Sequence, residues 1–346
     1  MSRNDLLVSI ANTIKDYRAG EIAQPDAAHV DRWVKQFPAA AQEALLRETD
    51  HVLKQTYLNK EWVAGWLSRQ VKNGKLAGAD PCDFWNKSNF LSIQKNGHSQ
   101  QDMLALFGRC LQEQCGMELG GCGSETGPYI YLDDIIFSGS RVGNDLDAWI
   151  KDKAPESATV HILVIAGHLF GEYKLLQRLR ATAAAQKKKI KFACWRALKI
   201  ENRNSYRNKA EVLWPAVLPD DKRLKDYMAQ ELKFPFTPRK AGRKLEVDIF
   251  SGEEGRQLLE HELLMAGVQI RSVCQNPKAV MRPLGFSPFG LGFGSMLVTY
   301  RNCPNNAPLA LWWGDPKASA KSPLSKWYPL VQRNTYAASI DFTEIF

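Results

Sequence analysis

The sequence predicts an α/β protein, with a parallel sheet flanked by helices and a helical N-terminal region in front of it. Three observations carry this reading. From about residue 83, short β-prone apolar runs alternate with helical stretches, the order of parallel strands joined by helices. Before that point, apolar residues recur at helical spacing. The 346 residues, at roughly 150 per domain, make about two domains, large enough to close cores without disulfides or metal. The expected partition is a helical region over 1–82 and an α/β domain with a C-terminal elaboration over 83–346.

The elements follow in order. Leu6, Leu7, Ile10, Ile14 and Tyr17 mark a first helix with Gly20 as its stop. A second starts near Asp26, buries Val30, Trp33, Val34 and Phe37, and ends at Pro38, because proline removes a donor and clashes with the preceding turn. Two more helices fit 39–58 and 61–75. Strands are then expected at 90–93, 129–132, 159–166 and 190–195, with helices at 102–113, 145–153 and 172–188 between them. Residues 200–246, punctuated by Pro215, Pro219, Pro235 and Pro238, read as a surface excursion. A helix over 255–265, a glycine-rich stretch over 283–294 and a strand over 295–300 complete the chain.

Composition excludes several classes. Hydrophobic residues are 45% and charged residues 24%, values of an ordinary globular chain rather than a disordered or collagen-like one. The 46 Lys and Arg exceed the 37 Asp and Glu by nine, which favours phosphates, nucleotides or nucleic acid as partners. The start lacks a basic segment followed by a long apolar core, so no secretory signal is expected. No apolar window of about 18 residues exists, so no membrane contact is expected either. The seven cysteines show no paired metal-ligand spacing and read as structural thiols of a reducing, cytoplasmic compartment.

Residues 129–142 carry the chemistry. A buried strand delivers Asp133 and Asp134 to the carboxyl edge of the sheet, where ligands of open α/β sheets bind. A tight turn through Ser138, Gly139, Ser140 and Arg141 leads into a helix. The N–H groups of such a turn and helix start make an anion nest. Gly139 lets the backbone approach a ligand, and the serines add hydroxyls. Paired acids beside a phosphate cradle suit vicinal ribose hydroxyls or Mg²⁺ on a pyrophosphate. A second glycine loop, with Lys95, Asn96, Gly97 and Ser99, follows the first core strand.

This pattern resembles the phosphoribosyl-pyrophosphate (PRPP) signature of class I phosphoribosyltransferases. The resemblance implies that Asp133 and Asp134 face the ribose and hold Mg²⁺. It further implies that residues 138–141 surround the 5′-phosphate and that Lys95, Asn96 and Gly97 hold the pyrophosphate. Two departures stand out. Phe137 occupies the place of an acid that assists proton transfer in purine-type members, and the glycine-rich 119–127 segment is shorter than the usual catalytic loop.

Over nearly its whole length the chain resembles the phosphoribosyltransferase-like effector family (PRTase-CE type) of prokaryotic antiphage conflict systems, some members of which are retron-associated. The residues concerned are 13–22, 29–37, the acid-pair signature, Arg282 to Gly285, 302–308 with Trp312 and Trp313, and 327–330. The resemblance implies a toxic antiviral-defence effector that binds PRPP or a related nucleotide and transfers or cleaves at ribose C1. Its partners would be other defence components, including a reverse transcriptase and its RNA or DNA product. The alternative is an inactive module that senses a nucleotide or binds nucleic acid or protein.

Other features stay open between two readings. Asn305, Asn306, Trp312 and Trp313 form either a base-side wall or a turn entering a buried aromatic strand. The glycine run 285–294 lacks the phosphate-loop lysine. The basic runs 187–191 and 239–244 are either solvated surface and helix-end lysines or a nucleic-acid face. His98 sits in the second glycine loop, while His161 and His168 bracket a strand with no evident partner.

Overall fold

The computed structural model describes residues 1–333 apart from 96, 234, 243–248 and 275. It divides into two compact units. Among the described residues, one is Glu61–Asn202; the other joins Met1–Lys60 to residues 203–333. The chain thus parts at 60 and 202 rather than once near 82. The helices over 61–87 pack with the sheet, while the first sixty residues pack with the last third.

The first unit carries α4 (Lys60–Val71, from its second residue), α5 (Gly74–Ala77), α6 (Pro81–Lys87), β2 (Asn89–Phe90), α7 (Ser99–Cys115), β3 (Tyr129–Ile136), α8 (Ser140–Asp152), β4 (Ser157–His168), α9 (Leu169–Ala185) and β5 (Lys189–Ile200). The four strands form one parallel sheet in the order β2-β3-β4-β5. Helices flank it, as the alternation requires. Tyr131, Val160, Ile162 and Val164 of the sheet close a core with Val142, Leu146, Trp149 and Ile150 of α8 and Leu175 and Leu179 of α9. Apolar burial of this kind contributes about 1.5–3 kcal/mol per side chain. A second cluster joins α6 and α7 to β2: the Trp85 ring lies 4.9 Å from that of Phe107, and Phe107 lies 5.8 Å from Phe90.

Strand β3 runs four residues beyond the expected 132, so the acid pair lies within it. Its ladder with β4 pairs Asp133 with Val164 and Ile135 with Ala166 and skips Asp134. Strand β2 is shorter than expected.

Cys82 and Cys115 form a disulfide, with Cα atoms 5.6 Å apart. This corrects the expectation of seven thiols; Cys110, Cys122, Cys194, Cys274 and Cys303 are the free ones. The bond joins α6 to the last residue of α7 and closes a 33-residue separation. Loop entropy gives such a bridge about 3–4 kcal/mol. We expect thiol titration of the denatured, unreduced protein to count five thiols, and Cys82→Ser/Cys115→Ser to lower the unfolding midpoint accordingly. A count of seven would remove the bridge from the description.

The second unit begins with α1 (Arg3–Thr13), α2 (Ala27–Val34), α3 (Gln42–Thr56) and β1 (Tyr57–Leu58). It resumes with α10 (Lys222–Glu231), α11 (Glu253–Ser272), β6 (Val298–Thr299) and α12 (Leu309–Trp312). Ser2 and Asp5 make a capping box on α1, and Asp26 caps α2 by accepting the His29 N–H at 2.8 Å. Helix α1 stops at Thr13, but Ile14 and Tyr17 are buried as expected. The two ends of the chain interlock. β1 and β6 form a short parallel ladder. The Tyr17 hydroxyl donates to the Gln332 carbonyl at 2.9 Å, and Trp33 and Trp327 both donate to the Ala310 carbonyl at 2.9 Å.

The described residues of the 200–246 stretch are not simply a surface excursion. Ala210, Val212 and Leu213 are buried, and the Leu213 N–H donates to the Gly294 carbonyl at 2.8 Å. Arg239, which opens the second basic run, is buried between Glu253 and Glu260 at 2.8 and 2.9 Å. It is a core ion pair rather than a nucleic-acid contact; Arg243 and Lys244 of that run lie outside the described residues. The glycine-rich stretch is a packed turn: the Gly294 N–H donates to the Leu284 carbonyl at 2.7 Å, and that of Leu284 to the Leu291 carbonyl at 2.9 Å. Asn306 donates to the Phe286 carbonyl at 3.0 Å, and Trp312 to that of Ala307 at 2.8 Å. The 302–313 block is therefore interior structure of this unit, but the turn enters the short helix α12 and not a buried aromatic strand.

No described helix is long and apolar enough to cross a membrane.

Candidate functional site

The carboxyl edge of the sheet is built first by the turn after β3. Gly139 holds a φ of +79° and precedes α8. A methyl group there would lie 2.7 Å from the Gly171 carbonyl oxygen and 2.9 Å from Cβ of Leu175. A methyl on Gly171 would in turn run into the Phe137 carbonyl. Two glycines thus let the turn lie directly on the first turn of α9. The Ser138 hydroxyl donates to Oγ of Ser140 at 3.0 Å. No side chain of the cap residue closes the α8 N-terminus; its first N–H, that of Ser140, donates to Oγ of Ser138 at 3.3 Å, which leaves the following N–H groups and the positive dipole end to an anion.

Phe137 stacks on His168, ring centroids 5.0 Å apart at 28°. His168 is fully buried, and its Nδ1 donates to the Ile136 carbonyl at 3.0 Å. Burial pushes its pKa down to about 4, against that hydrogen bond. It is a neutral prop beneath the turn, a partner the sequence did not reveal. His161 is likewise explained, since it accepts from Trp195 Nε1 at 2.9 Å.

The acid pair divides in two. Asp133 is buried and Asp134 half-buried. Burial, then the charge of Asp134, push the Asp133 carboxyl up to about 7, opposed by Arg141, the Ser99 hydroxyl and the Asp134 N–H. That N–H donates to Oδ1 of Asp133 at 2.8 Å.

The second loop reaches the same place. Oε1 of Gln100 accepts the N–H groups of Ile93 and Gln94 at 2.7 and 2.9 Å. Gln94 donates to Ser99 at 2.9 Å and accepts the Gln100 N–H at 3.0 Å. Ser99, at the start of α7, connects this loop to Asp133. Asp145 on α8 accepts the Tyr131 hydroxyl at 2.9 Å and the Lys95 N–H. Burial pushes its carboxyl up, against these partners and Arg141. Gly97 has a φ of +90°, and a methyl there would lie 3.2 Å from Nη1 of Arg141. The Arg141 guanidinium therefore faces the second loop. Lys95 is exposed, and Asn96 lies outside the described residues.

Sequence reasoning missed Gln94, Gln100 and Asp145. Asp145 had a signal, a carboxylate on the buried stripe of Val142, Leu146 and Trp149. His98 is exposed, and its ring approaches Gln101 at 3.5 Å. The short 119–127 segment is anchored, with Asn89 Nδ2 donating to the Ser124 carbonyl at 2.9 Å and the Gly123 N–H to that of Asn86 at 2.8 Å.

In the 187–191 run, Lys188 donates to the carbonyls of Ile150 and Ala154 at 2.6 and 2.7 Å. It closes the C-terminal end of α8, whereas Lys187, Lys189 and Lys191 are exposed. Among the described residues no group of three or more His, Cys, Asp or Glu side chains could hold a metal. Two carboxylates suit Mg²⁺ only when a phosphate-bearing ligand supplies further oxygens.

A family model described as PRTase-CE matches residues 30–333. No curated protein and no solved structure matches the chain.

Proposed function

The chain belongs to the PRTase-CE family, and we propose on that premise that its sheet-bearing unit binds PRPP, or a related ribosyl phosphate or nucleotide, and transfers or cleaves at ribose C1. The observation that carries this reading is the joining of two anion-suited loops around one acid pair. Asp145 takes the Lys95 N–H of the second loop from within the helix that follows the first, and Ser99 ties the second loop to Asp133. The open α8 N-terminus and the serines would take the 5′-phosphate. Lys95 and Gly97 would take the pyrophosphate side, with Asn96 assigned there from sequence alone; Arg141, expected at the 5′-phosphate, would serve that side too, since its guanidinium faces Gly97.

Asp133 and Asp134 would hold the ribose hydroxyls. Burial and the neighbouring Asp134 charge push the Asp133 carboxyl up, and the Asp134 N–H holds its Oδ1 in place at 2.8 Å. When C1 loses its leaving group, the electron pair departs with it and positive charge develops on C1 and the ring oxygen. Fixed carboxylates stabilise that charge without reorganising. Mg²⁺, held by the acid pair and the ligand's phosphates, would supply neutralisation of the leaving group. In a cell this activity would make the chain an antiphage effector, released by the partners of its defence system.

Calorimetric titration with PRPP and Mg²⁺ tests the reading. Asp133→Asn/Asp134→Asn is expected to weaken binding by about a hundredfold and to remove toxicity on induced expression. A wild-type protein that binds no ribosyl phosphate sinks the proposal. Phe137, on neutral His168 where an acid would be expected, favours the second reading, a nucleotide sensor without turnover. Binding with no loss of PRPP or nucleotide, and toxicity unchanged in the double mutant, would select it.

A further inference from the structure

A cleft of about 580 Å³ lies wholly within the unit formed by the chain ends. Its walls are the 261–269 face of α11, the start of α10 at Asp220, Asp221 and Arg223, and the aromatic pair Phe37 and Trp327. These two rings meet edge to face at 5.4 Å. The size is that of a ligand pocket. None of its residues belongs to the unit with the acid pair.

Three carboxylates line this cleft, on a chain whose net charge is +9. Two are already paired: Asp221 holds Arg223 at 2.8 Å, and Asp220 pairs with Lys225. Glu262 differs. It is 7% exposed, and among the described residues its one polar partner is His261, at 3.0 Å through a single oxygen. That histidine is itself half exposed. A buried carboxylate offers about four acceptor positions and is costly to leave without a cation. The same cleft is lined by Met265, Ala266, Phe37 and Trp327, an apolar lining that suits the stem of a long cationic side chain.

We propose that this cleft receives an arginine side chain from an extended segment of a partner protein, with Glu262 as the anionic anchor. A guanidinium presents a planar fork to a carboxylate and lies well against aromatic rings. The exposed Pro38 and the half-exposed Pro219 at the cleft give it a stiff border along which an extended backbone can run.

The test is anisotropy titration of the full chain with a fluorescein-labelled, capped peptide, Gly-Pro-Arg-Pro-Arg-Gly, and with its neutral citrulline counterpart. The arginine peptide should bind and the citrulline peptide should not. Glu262→Gln should weaken binding by about thirtyfold or more. Met265→Lys, which sets an ammonium one helical turn from Glu262, should abolish binding while the protein still unfolds cooperatively. Asp133→Asn should leave it unchanged, so failure here is separable from failure of the ribosyl-phosphate reading. No binding, equal binding of the citrulline peptide, or indifference to Glu262→Gln overturns the proposal. Displacement of the peptide by an equal concentration of spermidine overturns the assignment to a protein segment.

Discussion

Gly171→Ala is expected to weaken binding of ribose 5-phosphate by about a hundredfold while the sheet stays folded. The added methyl would occupy the space of the Phe137 carbonyl. Something must shift, and the turn of 137–140 is the side without a regular hydrogen-bonded ladder. Displacing a ligand cradle by about 1 Å costs on the order of a hundredfold. Ribose 5-phosphate is the suitable probe because it needs the cradle but not the second loop. Gly74→Ala is the control, since a methyl there meets nothing within 4 Å. Unchanged affinity in Gly171→Ala, measured by calorimetry, would show that the turn does not hold the phosphate.

Glu260→Ala is expected to cost the terminal unit about 3–5 kcal/mol, the range for removing one partner of a buried ion pair. Glu260 is 1% exposed. It accepts from Arg239 at 2.9 and 3.1 Å, from Arg256 at 2.8 Å and from the Trp214 N–H at 3.0 Å. Removing it leaves two guanidinium groups buried. Arg239 keeps Glu253 at 2.8 Å, and Arg256 keeps the Val212 carbonyl at 2.9 Å. Denaturant unfolding should show the loss as a lower midpoint. A change below about 1 kcal/mol, the level of an exposed pair, would mean that the cluster opens to water.

What the sequence made legible was local. The 129–141 stretch holds its strand, acid pair, glycine turn and helix start in consecutive residues, so pattern alone located it. The buried stripe of α2 was readable for the same reason. What stayed hidden depends on partners distant in sequence. Arg239 looked like part of a basic loop because Glu253 and Glu260 reach it from another element. Cys82 and Cys115 have no diagnostic spacing; they meet because α6 and the end of α7 pack together. Gln94 and Gln100 look like ordinary loop polarity until their side chains are seen replacing backbone partners. The aromatic and asparagine-rich block at 302–313 could be read as a ligand wall only because tryptophan and asparagine serve interiors and binding surfaces equally well.

The discontinuity of the terminal unit has a consequence for synthesis. Its first sixty residues leave the ribosome well before their partners, which begin at Arg203. At about 5–20 residues per second, helices α1 to α3 wait many seconds with Trp33 and Tyr17 lacking the carbonyls and side chains that later cover them. The sheet-bearing unit is fully emerged during that wait. A chain cut short before the Trp327 region would carry an assembled acid pair beside an unfinished companion. Synthesis through Trp327 is then a condition for the proposed arginine cleft but not for the proposed ribosyl-phosphate site.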